Sequence, residues 1–206
     1  MGDDSQALVE RARKGDRAAF GLLVRRYHRR VYGLAHRMLG NHDDADDVAQ
    51  ETFVRAYSRL GQFQGQADFF TWLYRIALNV ALNQLRHARR HREAGRLGLL
   101  PAPLAQEADA DPQRAAELRR AMAELAVAFE SLSDTLKATV VLVLMEGMAY
   151  REAAAVLECS EGTVAWRVHE ARSALRRQLG PVLKRLISRD TDGLSGDTRE
   201  AVDLRR

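Results

Sequence analysis

The sequence has very little cysteine, little proline and no long hydrophobic run. Its 206 residues contain a single cysteine, Cys159, and four prolines. A lone cysteine excludes an internal disulfide framework and a multi-thiolate zinc site, and it fits a reducing compartment. No apolar run approaches the roughly 18 residues that a membrane span requires, and the N-terminus is acidic and polar. These absences predict a cytoplasmic protein with no stable membrane insertion.

The charge balance indicates a polyanionic partner. The formal net charge is only +4, but the pI is about 9.6 and the arginines are unevenly spread along the chain. Apolar residues make up 46% of the sequence, which is enough to give one or two small domains a core.

Apolar residues recur at helical spacing along most of the chain, and no stretch alternates as a half-buried strand would. The sequence therefore predicts an all-α fold. Ser5 and Asp16 are expected to cap the first two helices, and Gly40 is expected to end the second. Ser133 is expected to cap a helix in the second half of the chain.

A change of composition divides the chain into two small helical domains joined by a flexible linker. Residues 95–112 are rich in Gly, Pro, Ala and acidic residues, which do not support a core. The sequence thus predicts domains over residues 1–94 and 113–187. The polar tail, residues 188–206, has no periodic apolar face and is expected to be largely disordered.

The second domain has the pattern of a helix-turn-helix. Ala153 to Ala155 allow two helices to approach closely, Leu157 and Val164 pack inward, and Cys159 and Ser160 form the turn. Arginines follow along the second helix, where they can neutralise DNA phosphates. The alternative is that these arginines only coat a solvated helix face.

Five aromatic residues surround a glycine loop in the first domain, between Phe63 and Tyr74. Aromatic side chains can form a core or can hold unpaired bases. Core packing is favoured for Phe63, Phe69 and Leu73, whereas both interpretations stay open for Trp72 and Tyr74.

An acidic run precedes this cluster and suits a basic protein partner, because carboxylates repel DNA phosphates. The helix dipole accounts for acidic residues at the start of a helix, and so explains Asp43 and Asp44. It does not explain Asp47, Gln50 and Glu51, which lie further along.

Both halves resemble the extracytoplasmic-function (ECF) sigma factors of bacterial RNA polymerase and are sigma-E-like. The resemblance covers about Ser5 to Ile187. It is carried by Asp46 to Phe53 (DDVAQETF), by Thr71 to Asn79 (TWLYRIALN), and by Gly162 to Val164 (GTV) with the arginines that follow it.

The resemblance implies a role for each group of residues. The first domain would be sigma region 2, with Asp43, Asp44, Asp47, Gln50 and Glu51 binding the β′ clamp helices of the polymerase core. Residues implied in recognition and melting of the minus-ten element are Gln64, Gly65, Trp72, Tyr74, Arg75, Asn79, Asn83 and Arg86. The second domain would be sigma region 4, beside the β flap. Residues implied in minus-thirty-five recognition are Ser160, Glu161, Thr163, Ala165, Trp166, Arg167, His169, Arg172 and Arg176.

The resemblance further implies a sigma factor that responds to a stress or signal and is controlled by an anti-sigma factor. The acidic linker would run toward the active-centre cleft of the polymerase. The sequence departs from many relatives at Gln64, at Ala165 and Trp166, and at His169 and Glu170, where basic residues are common. The promoter sequence that this chain recognises therefore cannot be inferred from that of its relatives.

Two other classes of function compete with this interpretation. A stand-alone helix-turn-helix repressor or activator would explain the second domain but not the motifs of the first. Hydrolytic or metal catalysis would need His28, His36 and His42 to converge, and their spacing is not expected to keep them on one helix face. We therefore expect no enzyme activity, no cofactor, no metal and no small-molecule substrate. No phosphate-binding glycine loop supports ATP-driven opening.

Overall fold

The computed structural model describes residues 3–65, 67–93 and 112–200, and within these ranges the regular structure is helical with no strand. The predicted all-α fold is thereby confirmed. The helices are α1 (Asp3–Arg13), α2 (Arg17–Leu39), α3 (His42–Arg59), α4 (Phe69–Glu93), α5 (Pro112–Glu130), α6 (Asp134–Val140), α7 (Tyr150–Leu157) and α8 (Glu161–Glu200).

The helix ends follow local sequence signals at most positions. The Asp16 side chain accepts a hydrogen bond from the Ala19 N–H and caps α2, which ends at Gly40 with φ at 78°. Both features were predicted. Ser5, in contrast, was wrongly predicted as a cap, because α1 begins earlier, at Asp3. The buried Ser5 hydroxyl instead pairs with the Tyr27 hydroxyl at 2.9 Å.

Helices α1 to α4 pack around one apolar core. The residues that supply it follow the predicted three-and-four spacing on each helix. Its fully or almost fully buried members include Val9, Leu23, Val31, Leu34, Met38, Val48, Leu73, Val80 and Leu85.

Residues Ser133–His169, called the HTH segment below, belong to the same compact unit as α1 to α4. The segment contains α6, a π-helical turn over Val141–Met145, α7 and the start of α8. Ser133 caps α6 through the Leu136 N–H, as predicted. Because α6 and α7 have only seven and eight residues, they bury their apolar faces against other elements rather than against each other alone.

The second compact unit combines α5 with the part of α8 that begins at Glu170. Ala128 and Leu132 are buried in it, and the Gln178 amide donates to the Ser131 hydroxyl at 2.9 Å. Met122 and Leu125 of α5 are each 43% exposed.

Helix α8 continues to Glu200, into the tail of residues 188–206 for which disorder was predicted. Extending an existing helix needs no new nucleus, and no proline follows Pro181 to interrupt it. Residues 201–206 and 94–111, which include almost all of the predicted linker, lie outside the described residues. Among the described helices, none is long and apolar enough to cross a membrane.

Candidate nucleic-acid and polymerase interfaces

Helix α3 presents an acidic face to solvent. Asp43, Asp47, Gln50 and Glu51 are all exposed, and their spacing places them on one side of the helix. The buried side of the same helix carries Val48, Ala49, Thr52 and Phe53. The Glu51 carboxylate also accepts from Arg55 at 2.6 Å within the helix. The fold uses none of the other three side chains in a hydrogen bond that we observe, so this face is available for a partner.

Asp44 differs from the other predicted polymerase-binding residues. Its carboxylate accepts from the Asn41 amide at 2.6 Å and from the Gln84 amide at 3.0 Å. Asn41 is the N-cap of α3, and its side-chain oxygen accepts from the Asp44 N–H. Asp44 therefore fixes the start of α3 and its packing on α4. Its place among the polymerase-binding residues stays a prediction.

Sequence reasoning missed Val54, which lies on the same face as Asp47 and Glu51. Its side chain is 68% exposed. An exposed apolar residue inside an acidic face is typical of a protein-binding surface rather than of a merely solvated one. The signal was its helical spacing from Asp47 and Gln50.

Three aromatic rings meet at the start of α4. The ring centroids of Phe63 and Trp72 are 5.2 Å apart, and those of Phe69 and Trp72 are 5.6 Å apart. Phe63 and Phe69 are buried, as the core interpretation predicted, whereas Trp72 is half-buried. The two phenylalanines thus support the Trp72 ring and leave part of it accessible.

Tyr74 is a core residue, which contradicts its assignment to DNA binding. Its side chain is fully buried, and its ring lies 4.1 Å from that of Phe70. The hydroxyl donates to the Arg30 carbonyl at 3.2 Å. Burial raises the pKa of Tyr74 far above its ordinary value, with a further contribution from the Glu146 carboxylate. The residue is held neutral and out of reach of a base.

Trp72 forms one wall of a polar cavity of about 250 Å³ in the first compact unit. The predicted residues Arg75 and Asn79 line it, and so do two arginines that sequence reasoning missed, Arg55 and Arg59. Their spacing of four residues at the end of α3 was the available signal. An aromatic ring beside three guanidinium groups suits a nucleic-acid base and its phosphate.

The remaining predicted minus-ten residues lie on the loop before α4 or on the exposed side of that helix. Gln64 and Gly65 are exposed in the loop, where Gly65 has φ at 71°. Asp68 closes the loop by accepting from the Thr71 N–H. Asn79, Asn83 and Arg86 are exposed at successive turns of α4.

Helices α7 and α8 form the predicted helix-turn-helix. Ala153, Val156 and Val164 are buried between elements, whereas Leu157 is only half-buried. Glu158 ends α7 in the left-handed conformation, with φ at 52°. The Ser160 hydroxyl accepts from the Thr163 N–H at 3.1 Å and caps α8, as predicted.

The first turns of α8 direct a basic and aromatic face to solvent. Trp166 is 61% exposed and stands near the middle of this face. Arg167 is half-buried and donates to the Cys159 sulfur at 3.8 Å, so it supports the turn. The other exposed predicted residues are Ser160, Glu161, Ala165, His169, Arg172 and Arg176, with Thr163 half-buried beside them.

Two of the three histidines near the acidic run, His36 and His42, lie together, whereas Tyr32 stands between His28 and His36. The rings of His28, Tyr32 and His36 form a row along α2, and the His36 and His42 ring centroids are 4.6 Å apart. Burial lowers the pKa of His36, and the neighbouring His42 and Arg37 lower it further. No group of three or more potential ligands suited to a metal ion occurs among the described residues.

An all-α chain with an exposed acidic face, an aromatic and arginine cavity and a helix-turn-helix has the features of a bacterial transcription initiation factor. Comparison with known proteins supports the same class. Residues 23–91 match the family model "Sigma-70 region 2", and residues 122–175 match "Sigma-70, region 4".

The RNA polymerase sigma-H factor of Pseudomonas aeruginosa is 36% identical over 191 residues, covering 88% of this chain and 97% of that protein. The ECF RNA polymerase sigma-E factor of Escherichia coli K12 is 36% identical over 188 residues, covering 87% and 96%. The chain belongs to the ECF sigma factors, which initiate transcription with bacterial RNA polymerase.

Solved structures agree with this assignment. CnrH, solved in complex with the cytosolic domain of CnrY, is 31% identical with a TM-score of 0.61, over 87% of this chain and 99% of CnrH. The sigma factor RpoE of Bartonella quintana, solved with the anti-sigma factor NepR, shares the fold at 24% identity and a TM-score of 0.58, over 78% of this chain and 96% of RpoE.

Proposed function

We propose that the exposed face of α3 binds the β′ clamp helices of RNA polymerase core. The observation that carries this proposal is the separation of Asp44 from its neighbours. The fold uses Asp44 to anchor α3, whereas Asp43, Asp47, Gln50 and Glu51 are exposed along the same face as Val54. A stripe of acidic side chains that ends in an exposed apolar residue fits a basic helical partner.

The cavity beside Trp72 holds an unpaired base of the minus-ten element. Stacking of a base on an aromatic ring contributes about 1–3 kcal/mol, similar to the few kcal/mol lost when a base step is unstacked. Capture of one base therefore offsets much of the cost of opening without ATP. Arg55, Arg59 and Arg75, which line the same cavity, would neutralise the adjoining phosphates.

Helix α8 reads the minus-thirty-five element in intact duplex. Arg172 and Arg176 are one turn apart on its exposed side and contact phosphates, whereas Trp166 and His169 face the base edges. The chain acts in the cytoplasm by binding rather than by catalysis.

A separate anti-sigma protein holds the free chain inactive until a stress or signal releases it. The support for this part is that CnrH, which is similar to this chain over most of its length, has been solved with the cytosolic domain of CnrY. Co-purification of the chain with its partner from the native cell, before and after stress, tests it.

Run-off transcription with core polymerase on genomic fragments tests the proposed function and identifies the promoter. We expect discrete transcripts that appear only with both core and this chain. A gel-shift assay with and without core separates this function from that of a stand-alone repressor. Tight binding of the free chain to an intact operator, with no transcripts in the presence of core, would favour the repressor.

A further inference from the structure

The first turns of α8, at the end of the HTH segment, expose a large aromatic ring. The Trp166 side chain is 61% exposed. The fold gains little from an indole at this position, because most of its apolar surface stays in water. A large apolar side chain left exposed on a helix that faces a partner indicates contact with that partner.

The same turns of α8 offer no uncommitted arginine or lysine to a base. The commonest specific contact in the major groove is the bidentate one from arginine or lysine to guanine. Arg167 is the only arginine or lysine in residues 160–169, and its guanidinium donates to the Cys159 sulfur at 3.8 Å. The Ser160 and Thr163 hydroxyls bond to each other at 2.9 Å in the helix cap. These turns therefore lack the contact by which guanine is usually read.

Gly162 leaves a gap one turn before Trp166. Residues three and four positions apart are neighbours on a helix surface, and their side chains lean toward the N-terminus, so Ala165 and Trp166 flank this gap. Apart from the backbone of the helix itself, a Cβ atom at Gly162 would meet within 4 Å only the Ser160 Oγ, at 3.8 Å. The fold thus has room for a side chain here, although glycine destabilises a helix relative to alanine. A glycine that the fold does not require indicates the close approach of a ligand.

We propose that Ala165 and Trp166 recognise the C5 methyl group of a thymine in the minus-thirty-five element, which enters the gap at Gly162. The inference rests on the proposed role of α8 and names a base that this helix reads. In an intact duplex the faces of the bases are stacked, so an apolar side chain in the major groove meets base edges. Among the four bases, only thymine carries a methyl group at that edge.

Deoxyuridine in place of thymine tests the inference, because this exchange removes only the methyl group and keeps base pairing. The test uses the full chain with core polymerase, on a promoter that run-off transcription has identified. Each thymine of the minus-thirty-five element is replaced in turn, and the Kd of the complex is measured. Burial of one methyl group corresponds to about fourfold in affinity. We therefore expect the Kd to rise about three- to fivefold at one or two thymines and to stay unchanged at the others.

Variants of α8 connect this effect to the named side chains. Trp166→Ala should bind the thymine and deoxyuridine promoters equally, whereas Trp166→Phe keeps an apolar ring and should keep part of the discrimination. Gly162→Ala fills the gap, so it should weaken binding of the thymine promoter more than that of the deoxyuridine promoter. Its melting temperature should not fall, because the fold has room for the added Cβ and alanine favours a helix. Arg172→Ala is the control, since loss of a proposed phosphate contact should weaken binding of both promoters by the same factor.

The outcomes separate this inference from the proposed function. Unchanged binding of the wild-type chain with deoxyuridine at every thymine of the element would overturn the inference, and so would an active promoter without thymine there. Discrimination that persists in full in Trp166→Ala would contradict the role of the ring. If the wild-type chain transcribes from promoters that are insensitive to the methyl group, only the thymine contact is wrong. If it gives no transcripts with core on any genomic fragment, the proposed function itself fails.

Discussion

For single residues, burial in the core decides whether a side chain can contact a binding partner. Trp72 and Tyr74 are two positions apart, and both were open candidates for base capture. The helix turns Tyr74 into the core and leaves Trp72 at its edge, beside Arg75 and Asn79. The difference depends on which side of α4 packs against α2, and the sequence of α4 alone does not determine this.

Trp72→Ala and Tyr74→Ala should therefore impair different properties, strand opening in the first and folding stability in the second. Trp72→Ala should reduce strand opening, seen in permanganate footprints, more than it reduces binding to core, because the ring is needed for the unpaired base. Tyr74→Ala removes a fully buried ring and should lower the free energy of unfolding by about 3–5 kcal/mol, impairing both steps. Equal loss of both steps in a stably folded Trp72→Ala variant would contradict the proposed role.

Asp16 provides a pH-dependent contribution to stability. The Ala19 N–H, and then the Arg11 guanidinium, hold the pKa of Asp16 below its ordinary value of 3.8. Since the folded pKa is lowered, the contribution is present above pH 3.8 and is lost as the pH falls through the folded value. Asp16→Asn keeps the cap but cannot ionise. Its melting temperature should lie below wild type at pH 7, and the gap should close on acidification.

At the scale of helices, α3 separates a structural side from a binding side. Asp47→Arg should abolish binding to core polymerase, because it places a cation in the face for which we propose a basic partner. Asp46→Arg makes the same charge change on the same helix, also at an exposed position, but about 100° around the axis. It should bind core almost normally. Equal loss in both variants would indicate a general charge effect rather than a defined face.

The recognition helix α8 allows affinity and specificity to be separated. Arg172→Ala should weaken duplex binding uniformly across sequences and lower the slope of log affinity against log salt by about one. Trp166→Ala should instead change the ranking of promoter sequences, because its exposed ring stands near the middle of the face. Binding titrations at several salt concentrations, on matched and mismatched duplexes, measure both effects. A changed ranking in Arg172→Ala would reverse these assignments.

Most helices were predictable because caps, glycines and apolar spacing act locally. Asp16, Gly40, Ser133 and Ser160 all mark boundaries that the structure reproduces. What sequence reasoning missed depends on contacts between distant elements. Asp44 is tied to Gln84, forty residues away, and its position in the first turn of α3 does not reveal that contact. Arg75 likewise has distant partners, the Ala155 carbonyl in α7 and the carboxylate of Glu158, the residue that follows α7.

For the molecule as a whole, the chain is longer than the part of it that matches its relatives. About an eighth of the chain has no counterpart in the Pseudomonas aeruginosa sigma-H factor, although 97% of that protein is covered. The region 4 match ends at residue 175, whereas α8 continues to Glu200. The end of α8 therefore lies beyond the residues that match this family model.

Deletion of residues 188–206 should leave run-off transcription within about twofold of wild type. The groove between α5 and α8, which is lined by Val127, Ala128 and Leu179, lies entirely before the deletion, so the packing of the second compact unit should be retained. Helix ends are the least stable part of a helix, and their loss has little effect on the rest. Transcription and melting temperature would be compared with those of the full chain. A large gain in transcription without a change in melting temperature would instead show that this tail inhibits the factor in cis.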